Sequence, residues 1–312
     1  MKSFERLVLS HLKSLTSPLL DPLQFAYRAN RSVDDAINLA LHHILQHLDS
    51  PGTYARVLFV DFSSAFNTIL PSLLQDKLSQ LNVPDSTCSH DSVKLIKFAD
   101  DTTLIGLISN NDESAYRREV DRLVSWCSGN NLELNAQKTV EMIVDFRKST
   151  VPPPPPSVMD SPITSVESFR FLGTTITQDL KWEPTISSLI KKAQQRMYFL
   201  RQLRKAKLPA QMLVQFYTAI IESILTSSIT VWFAGATVRD KQRLQRIVRS
   251  AEEVIGRSLP SLQDLFLSCL VIGVGSSLEE STTSVSGIGD KACVASELNV
   301  PELPRHWSRK LT

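Results

Sequence analysis

The run Val93-Lys94-Leu95-Ile96-Lys97-Phe98-Ala99-Asp100-Asp101-Thr102-Thr103-Leu104-Ile105 organises the sequence around it. Two extended, apolar-rich pieces meet at a paired carboxylate, the pattern of a hairpin with acids at its tip. Upstream, Val57-Leu58-Phe59-Val60 is a short continuous apolar run that stops abruptly at Asp61, as expected of a strand buried on both faces. Downstream, Val140 to Phe146 reads as a further strand. Between hairpin and strand, Tyr116, Val120, Leu123, Val124 and Cys127 keep helical spacing, and Gly129 stands where a left-handed residue would end the helix. A helix over 73–81 separates the first strand from the hairpin. Before them all, Ile37, Leu41, Ile44, Leu45 and Leu48 form a helical stripe. Ser32 is its N-cap, and Asp34 and Asp35 lie in the first turn where the helix dipole favours them.

The composition of the whole chain is compatible with a folded core. Of 312 residues 42% are hydrophobic, and 34 basic side chains balance 32 acidic ones, which excludes a wholly disordered tail. Aromatics at 7% and only 10 glycines exclude collagen-like and Gly-rich low-complexity classes. The apolar residues after Met1 are broken at once by Ser10, His11 and Lys13, so no secretory signal is read there. Cys88, Cys127, Cys269 and Cys293 are widely separated and form no CxxC pair, so neither a disulfide framework nor a structural zinc is expected. Ala219 to Val238 is interrupted by Glu222 and by Thr226, Ser227, Ser228 and Thr230. It reads as a buried helix running into a strand or loop, and no membrane partner is expected.

The second half has a different character. Pro152 to Pro156 cannot join a helix or a ladder and reads as a stiff connector, followed by a strand-like Phe169 to Gly173. From Lys181 to Arg257 fourteen basic residues face five acidic ones, a local surplus of nine against +2 for the whole chain. Ile186, Leu189, Ile190, Ala193, Met197, Leu200 and Leu203 form one helical stripe. Met212, Leu213, Phe216, Tyr217, Ile220 and Ile224 form another. A third opens on the capping-box-like Thr237-Val238-Arg239-Asp240 and carries Leu244, Ile247, Val248, Ala251 and Ile255. Lys191, Lys192, Arg196, Arg201 and Arg204 lie on the first, either as a solvated face or as a surface that tracks phosphates.

Chemically, Asp61, Asp100 and Asp101 stand out. A carboxylate abutting an apolar strand costs desolvation unless a cation meets it. On pattern alone, an Asp-Asp pair is more often a turn than a metal site. If the acids lie on adjacent strands, they can hold two Mg²⁺ about 3.5–4 Å apart, an arrangement suited to in-line phosphoryl displacement.

Asp61-Phe62-Ser63-Ser64-Ala65-Phe66 after a buried strand, followed by Phe98-Ala99-Asp100-Asp101, resembles the two carboxylate motifs of reverse transcriptases of non-LTR (LINE-like) retrotransposons. Flanking pieces occur in the same order. Gln24-Phe25-Ala26-Tyr27-Arg28-Ala29-Asn30-Arg31-Ser32 with Asp34-Asp35-Ala36-Ile37 is similar to the family's fingers motif. Asn131-Leu132-Glu133-Leu134-Asn135 with Lys138-Thr139 is similar to the motif after the catalytic hairpin, and Phe169 to Gly173 to the primer-grip turn. Arg201-Gln202-Leu203-Arg204, Phe216-Tyr217 and Leu259-Pro260 resemble the thumb-like end of fish elements. The likeness covers roughly residues 20–266.

This resemblance implies an α+β fold: a reverse-transcriptase palm remnant, with an antiparallel sheet and helices on one face, followed by a helical thumb-like region. It implies a fingers-like segment at 1–50, a truncated palm at 51–150 and a proline connector with the primer-grip-like strand at 151–180. A basic thumb-like region at 181–266 and a disordered tail at 267–312 follow. It makes Asp61, Asp100 and Asp101 the catalytic metal ligands for Mg²⁺, with Mn²⁺ as a substitute. Phe66 becomes a gate against the ribose 2′-hydroxyl, Arg31 a triphosphate or template contact, and Lys138 a neighbour of the leaving pyrophosphate. Lys191, Lys192, Arg196, Arg201 and Arg204 become nucleic-acid contacts. The implied partners are an RNA template, a DNA primer and deoxynucleoside triphosphates, and the implied location is intracellular.

One departure matters. Asp100 follows Asp61 by only 39 positions, where intact relatives carry a further block with a Gly/Pro-Gln-Gly motif that supports nucleotide and template. Here 82–88 passes directly to 89–93, so the chemistry is expected to be impaired. The alternatives are a non-catalytic nucleic-acid binder and a helical protein-interaction remnant. The latter has its own resemblance: Gln195 to Ser227 is similar to a short amino-terminal piece of AlkB-like tRNA-modifying enzymes, and that segment holds no iron motif.

Overall fold

The computed structural model describes residues 21–63, 70, 90–147, 154–158 and 161–271. It divides into two units, Met1–Leu172 and Gly173–Thr312.

In the first unit, α1 (Val33–Leu48) starts on a complete capping box. Ser32 Oγ accepts from the Asp35 N–H at 3.2 Å, and the Asp35 carboxylate accepts from the Ser32 N–H at 2.7 Å. The strands β1 (Tyr54–Val60), β2 (Val93–Phe98), β3 (Asp101–Ile108) and β4 (Val140–Val144) form an antiparallel sheet in the order β2-β3-β1-β4. Because β3 and β4 flank β1, helix α2 (Ser114–Gly129) makes the crossover of a split β-α-β arrangement. The 73–81 helix, the 82–89 junction and Phe66 lie outside the described residues.

One face of the sheet carries Tyr54, Leu58, Val60, Leu104 and Ile108, on which α2 packs Tyr116, Val120 and Cys127. The tightest point is Gly106, where a Cβ would come within 2.5 Å of the Tyr116 ring, so only glycine lets the helix lie this close. Helix α1 buries Ile37, Ala40, Leu41 and Ile44 and packs on β1, β2 and β3.

Four sequence readings change here. Gly129 stays helical, and the left-handed position belongs to Asn131 at φ 55°. Leu132 N–H bonds to Cys127 O at 3.0 Å and Asn131 N–H to Ser128 O at 3.5 Å, a Schellman ending with Asn in the place glycine usually takes. Beyond the prolines, three two-residue strands appear that no periodicity announced: β5 (Ser157–Val158), β6 (Ser161–Pro162) and β7 (Thr164–Ser165). The last joins β4 in parallel, so the sheet is antiparallel except at this edge. Strand β4 also stops at Val144, where the chain turns into the Asp145–Arg147 ion pair. Finally, β8 (Ser168–Phe171) stacks Phe169 on Phe59 with ring centroids 4.0 Å apart, and Leu172 and Gly173 follow in a positive-φ turn.

The second unit contains β9 (Thr174–Thr177), α3 (Glu183–Lys205), α4 (Ala210–Phe216), a π-helical turn over Tyr217–Glu222, α5 (Ser223–Leu225), α6 (Ile229–Trp232) and α7 (Val238–Ile255). Residues 262–271 are helical, so the first positions of the expected disordered tail are ordered; 272–312 lie outside the described residues. The expected stripes build one core, in which Ile186, Ala193 and Leu200 of α3 meet Leu213, Tyr217, Trp232, Leu244 and Val248. Thr237 caps α7 by accepting from the Asp240 N–H at 3.1 Å, and Gly256 ends it in the left-handed region at φ 77°. The stretch 219–238 contains no strand: left-handed Ser228 breaks it into successive helical pieces. Among the described residues, no helix is long and apolar enough to cross a membrane.

Candidate active site

Register fixes the chemistry. The last pairs of β1 are Val60 with Thr102 on one side and Phe59 with Val140 on the other. Continuing the two registers, Asp61 would face Asp101 one step past the first pair and Lys138 two steps past the second. The side chains agree with this placement. Lys138 Nζ stands 3.7 Å from Asp61 Oδ2, and desolvation, then the charges of Asp100 and Asp61, push the Asp101 carboxyl above its ordinary value. The two carboxylates thus share one end of the sheet, and Phe59 of β1 packs against Phe169 and Phe171.

Asp61 is held by its backbone. Its N–H donates to Thr139 Oγ1 at 3.3 Å and its carbonyl accepts from Asn135 N–H at 2.9 Å. Next to it, Phe62 bridges Leu134 and the Ser63 N–H bonds to Glu133 O at 2.8 Å. The motif from Asn131 to Thr139 is therefore the clamp on the first aspartate. The Asn135 carbonyl also receives the N–H groups of Lys138 and Thr139, at 3.2 and 2.9 Å, which turns Lys138 toward Asp61.

Phe98 pairs with Asp101, leaving Ala99 and Asp100 as a two-residue hairpin loop. Ala99 has φ 56°, a conformation that a non-glycine residue adopts at a cost. Gln24 compensates: its Oε1 accepts from Ala99 N–H at 3.1 Å and its Nε2 donates to Ala99 O at 3.3 Å. Residues 23–25 are fastened along β2 through Lys97, and Lys97 Nζ pairs with Asp21 at 2.6 Å. Sequence reasoning quoted Gln24 inside a motif without giving it this role. Only an amide in reach of a strained loop would have signalled it.

Asp61 Oδ2 is buried and has no hydrogen-bond partner among the described residues. A buried anionic oxygen that accepts no hydrogen bond, with the Lys138 ammonium 3.7 Å away and a carboxyl of raised pKa nearby, is an environment that a divalent cation suits. Asp61 and Asp101 fit that role. Among the described residues, however, no three His, Cys, Asp or Glu side chains form a group able to hold a metal. The fit is therefore to a pair of carboxylates, the kind of site in which Mg²⁺ keeps water and substrate phosphates in the rest of its shell.

The remaining candidates lie elsewhere. Arg31 sits over the Phe25 ring, 5.2 Å from its centroid, and is not joined to the carboxylates by a described contact. Lys191, Lys192, Arg196, Arg201 and Arg204 are all exposed on α3 of the second unit. Sequence reasoning missed a buried network behind the site. Arg56, fully buried, bonds Glu113 at 2.6 Å and Glu141 at 2.5 Å, and Tyr54 and Tyr116 donate to the same two carboxylates.

An α+β unit with paired carboxylates at its strand ends is what the geometry defines, and comparison with known proteins adds a distant relative. A "Probable RNA-directed DNA polymerase from transposon BS" of Drosophila melanogaster is 22% identical over 298 residues, covering 75% of this chain and 33% of the relative. The chain thus spans about a third of that relative's length. The family described as "Alkylated DNA repair protein alkB homolog 8, N-terminal" matches residues 182–223, which are α3, α4 and the π-helical turn. Two solved telomerases also align. Apo telomerase from Candida tropicalis has a TM-score of 0.35 at 13% identity, covering 89% of this chain and 58% of that one. Telomerase from Candida albicans, in complex with a TWJ fragment of telomeric RNA, has 0.38 at 11%, covering 93% and 59%. Both TM-scores are too low to define a shared fold.

Proposed function

We propose that this chain is a reverse-transcriptase-like domain of non-LTR retrotransposon descent, built for nucleotidyl transfer from deoxynucleoside triphosphates to a DNA primer on an RNA template. The carrying observation is the register that sets Asp61 between Asp101 and Lys138 at one end of the sheet. The distant transposon polymerase relative supports the same reading.

Asp61 and Asp101 would hold Mg²⁺ or Mn²⁺, with Asp100 in the loop beside them; the bound cation supplies charge stabilisation at the phosphoryl oxygens. Lys138 offers an ammonium beside Asp61, where it counters charge on the departing pyrophosphate. Gln24, Asn135 and Thr139 hold the two acidic segments in place. The short passage from Asp61 to Asp100 leaves little chain to position nucleotide and template. Because positioning accounts for ~7–11 kcal/mol of such barriers in favourable cases, turnover is expected to be weak.

Primer extension on an RNA template with Mg²⁺, and again with Mn²⁺, tests the proposal in the native chain and in Asp101→Asn. Incorporation that falls at least about a hundredfold in the variant is expected. Equal incorporation by both removes the carboxylates from the chemistry. A second reading, a nucleic-acid binder without catalysis, is favoured by the six exposed cations of α3. It requires binding that weakens with salt and is indifferent to Asp101→Asn.

A further inference from the structure

Helix α3 carries one acidic residue, Glu183 in its first turn, against six cations from Lys191 to Lys205. Its inner stripe is spent on the core, with Ile186, Ala193, Met197 and Leu200 buried. On the opposite side successive turns present Lys191, Gln195, Tyr198 with Phe199, and Gln202, all exposed. Tyr198 and Phe199 are 58% and 47% exposed, and their rings meet edge to face with centroids 5.5 Å apart. A helix this well supplied with core residues has no packing need for two large rings in water.

On the nucleic-acid reading above, we infer that the outer face of α3 is a stacking platform for single-stranded nucleic acid. Bases lie on Tyr198 and Phe199, Lys191 and Lys192 meet the backbone phosphates, and the Gln195 and Gln202 amides reach base edges. Aromatic faces interleaved with cations are the physical requirement for holding unpaired strands, because every base has a π-face while a duplex hides its own. The stretch from Lys191 to Gln202 rises about 16 Å along the helix axis, room for four or five bases at ~3.4 Å spacing. A protein partner fits less well, since it would have to pair or desolvate six cations along one helix, whereas a nucleic-acid strand brings a phosphate with every nucleotide.

The test uses the full chain without divalent metal, and reads anisotropy of a fluorescein-labelled oligouridine RNA and of a blunt RNA duplex of equal length. Tyr198→Ala/Phe199→Ala and Tyr198→Leu/Phe199→Leu should each weaken oligouridine binding about tenfold or more, with duplex binding and the salt slope unchanged. Lys191→Gln/Lys192→Gln should instead flatten the salt slope by about 1.4. The leucine pair keeps apolar area without a ring, so it separates stacking from fold damage: native oligouridine affinity in that variant overturns the platform. Parallel loss of oligouridine and duplex binding overturns it as well. So does a chain that self-associates through these rings in sedimentation, with RNA affinity intact in the alanine variant, since a second copy would then be the occupant. Asp101→Asn must bind oligouridine like the native chain, so a failure of polymerase chemistry and a failure of the platform are read separately.

Discussion

Arg56 stands in the middle of a strand whose seven residues are all buried, and its guanidinium lies between Glu113 and Glu141. Burial works to raise the Glu113 pKa, but hydrogen bonds from Tyr54, Arg117 and Arg56 outweigh it and hold the carboxyl below its ordinary value. For Glu141 burial prevails over the bonds from Tyr116 and Arg56, and its pKa is raised. Removing one member of such a set leaves uncompensated buried charge, so Arg56→Met should lower unfolding free energy by about 3–5 kcal/mol. Without the cation Glu141, already raised by burial, binds its proton more tightly folded than unfolded, while Glu113 keeps Arg117 and Tyr54, so the Glu141 contribution makes the variant's stability fall as pH rises through the carboxylate range. Thermal unfolding at mildly acidic and mildly alkaline pH should show the deficit against the native protein narrowing on the acidic side. A deficit independent of pH would mean that lost packing, not buried charge, is what the arginine prevents.

Among the elements, the strands were legible because a continuous apolar run bounded by acids has one economical solution, and the hairpin because two such runs abut. The helix stripes were legible through their spacing. What stayed hidden was whatever depends on a partner distant in sequence. The Arg56 network needs β1, β4 and α2 together, though an arginine between Ala55 and Val57, and Glu141 inside an apolar strand, were its visible halves. Asn131 rather than Gly129 ends α2 because the Schellman bonds choose the position, and β7 forms only because β4 offers it an edge. Gln24 belongs to the same class, lying 75 positions from the loop that it braces. Gln24→Ala removes its bonds to Ala99 and to the Ala26 N–H, each worth ~0.5–1.5 kcal/mol net. Amide exchange over 97–101 should then quicken about tenfold, with α2 unaffected. Unchanged exchange in the loop would show that the strand pairing alone maintains the strained Ala99.

At the scale of the whole molecule, the two units have separate resources. The first draws on a sheet with distant pairings and a buried ionic network, the second on helices whose core is assembled from residues close in sequence. Local contacts favour independent and rapid folding, and the second core is well stocked, with Trp232, Tyr217, Phe233 and more than a dozen aliphatic side chains buried in one cluster. Capped helix ends at Thr237 and Gly256 reduce its dependence on anything outside. A fragment of residues 173–271 should therefore fold alone, giving a helical circular dichroism spectrum and one cooperative thermal transition, and it should retain the salt-dependent RNA binding assigned to α3. A fragment that melts without cooperativity would show that the helices borrow stability from the sheet unit. In that case the basic face could not stand alone as a nucleic-acid surface, and the non-catalytic reading would lose its structural basis.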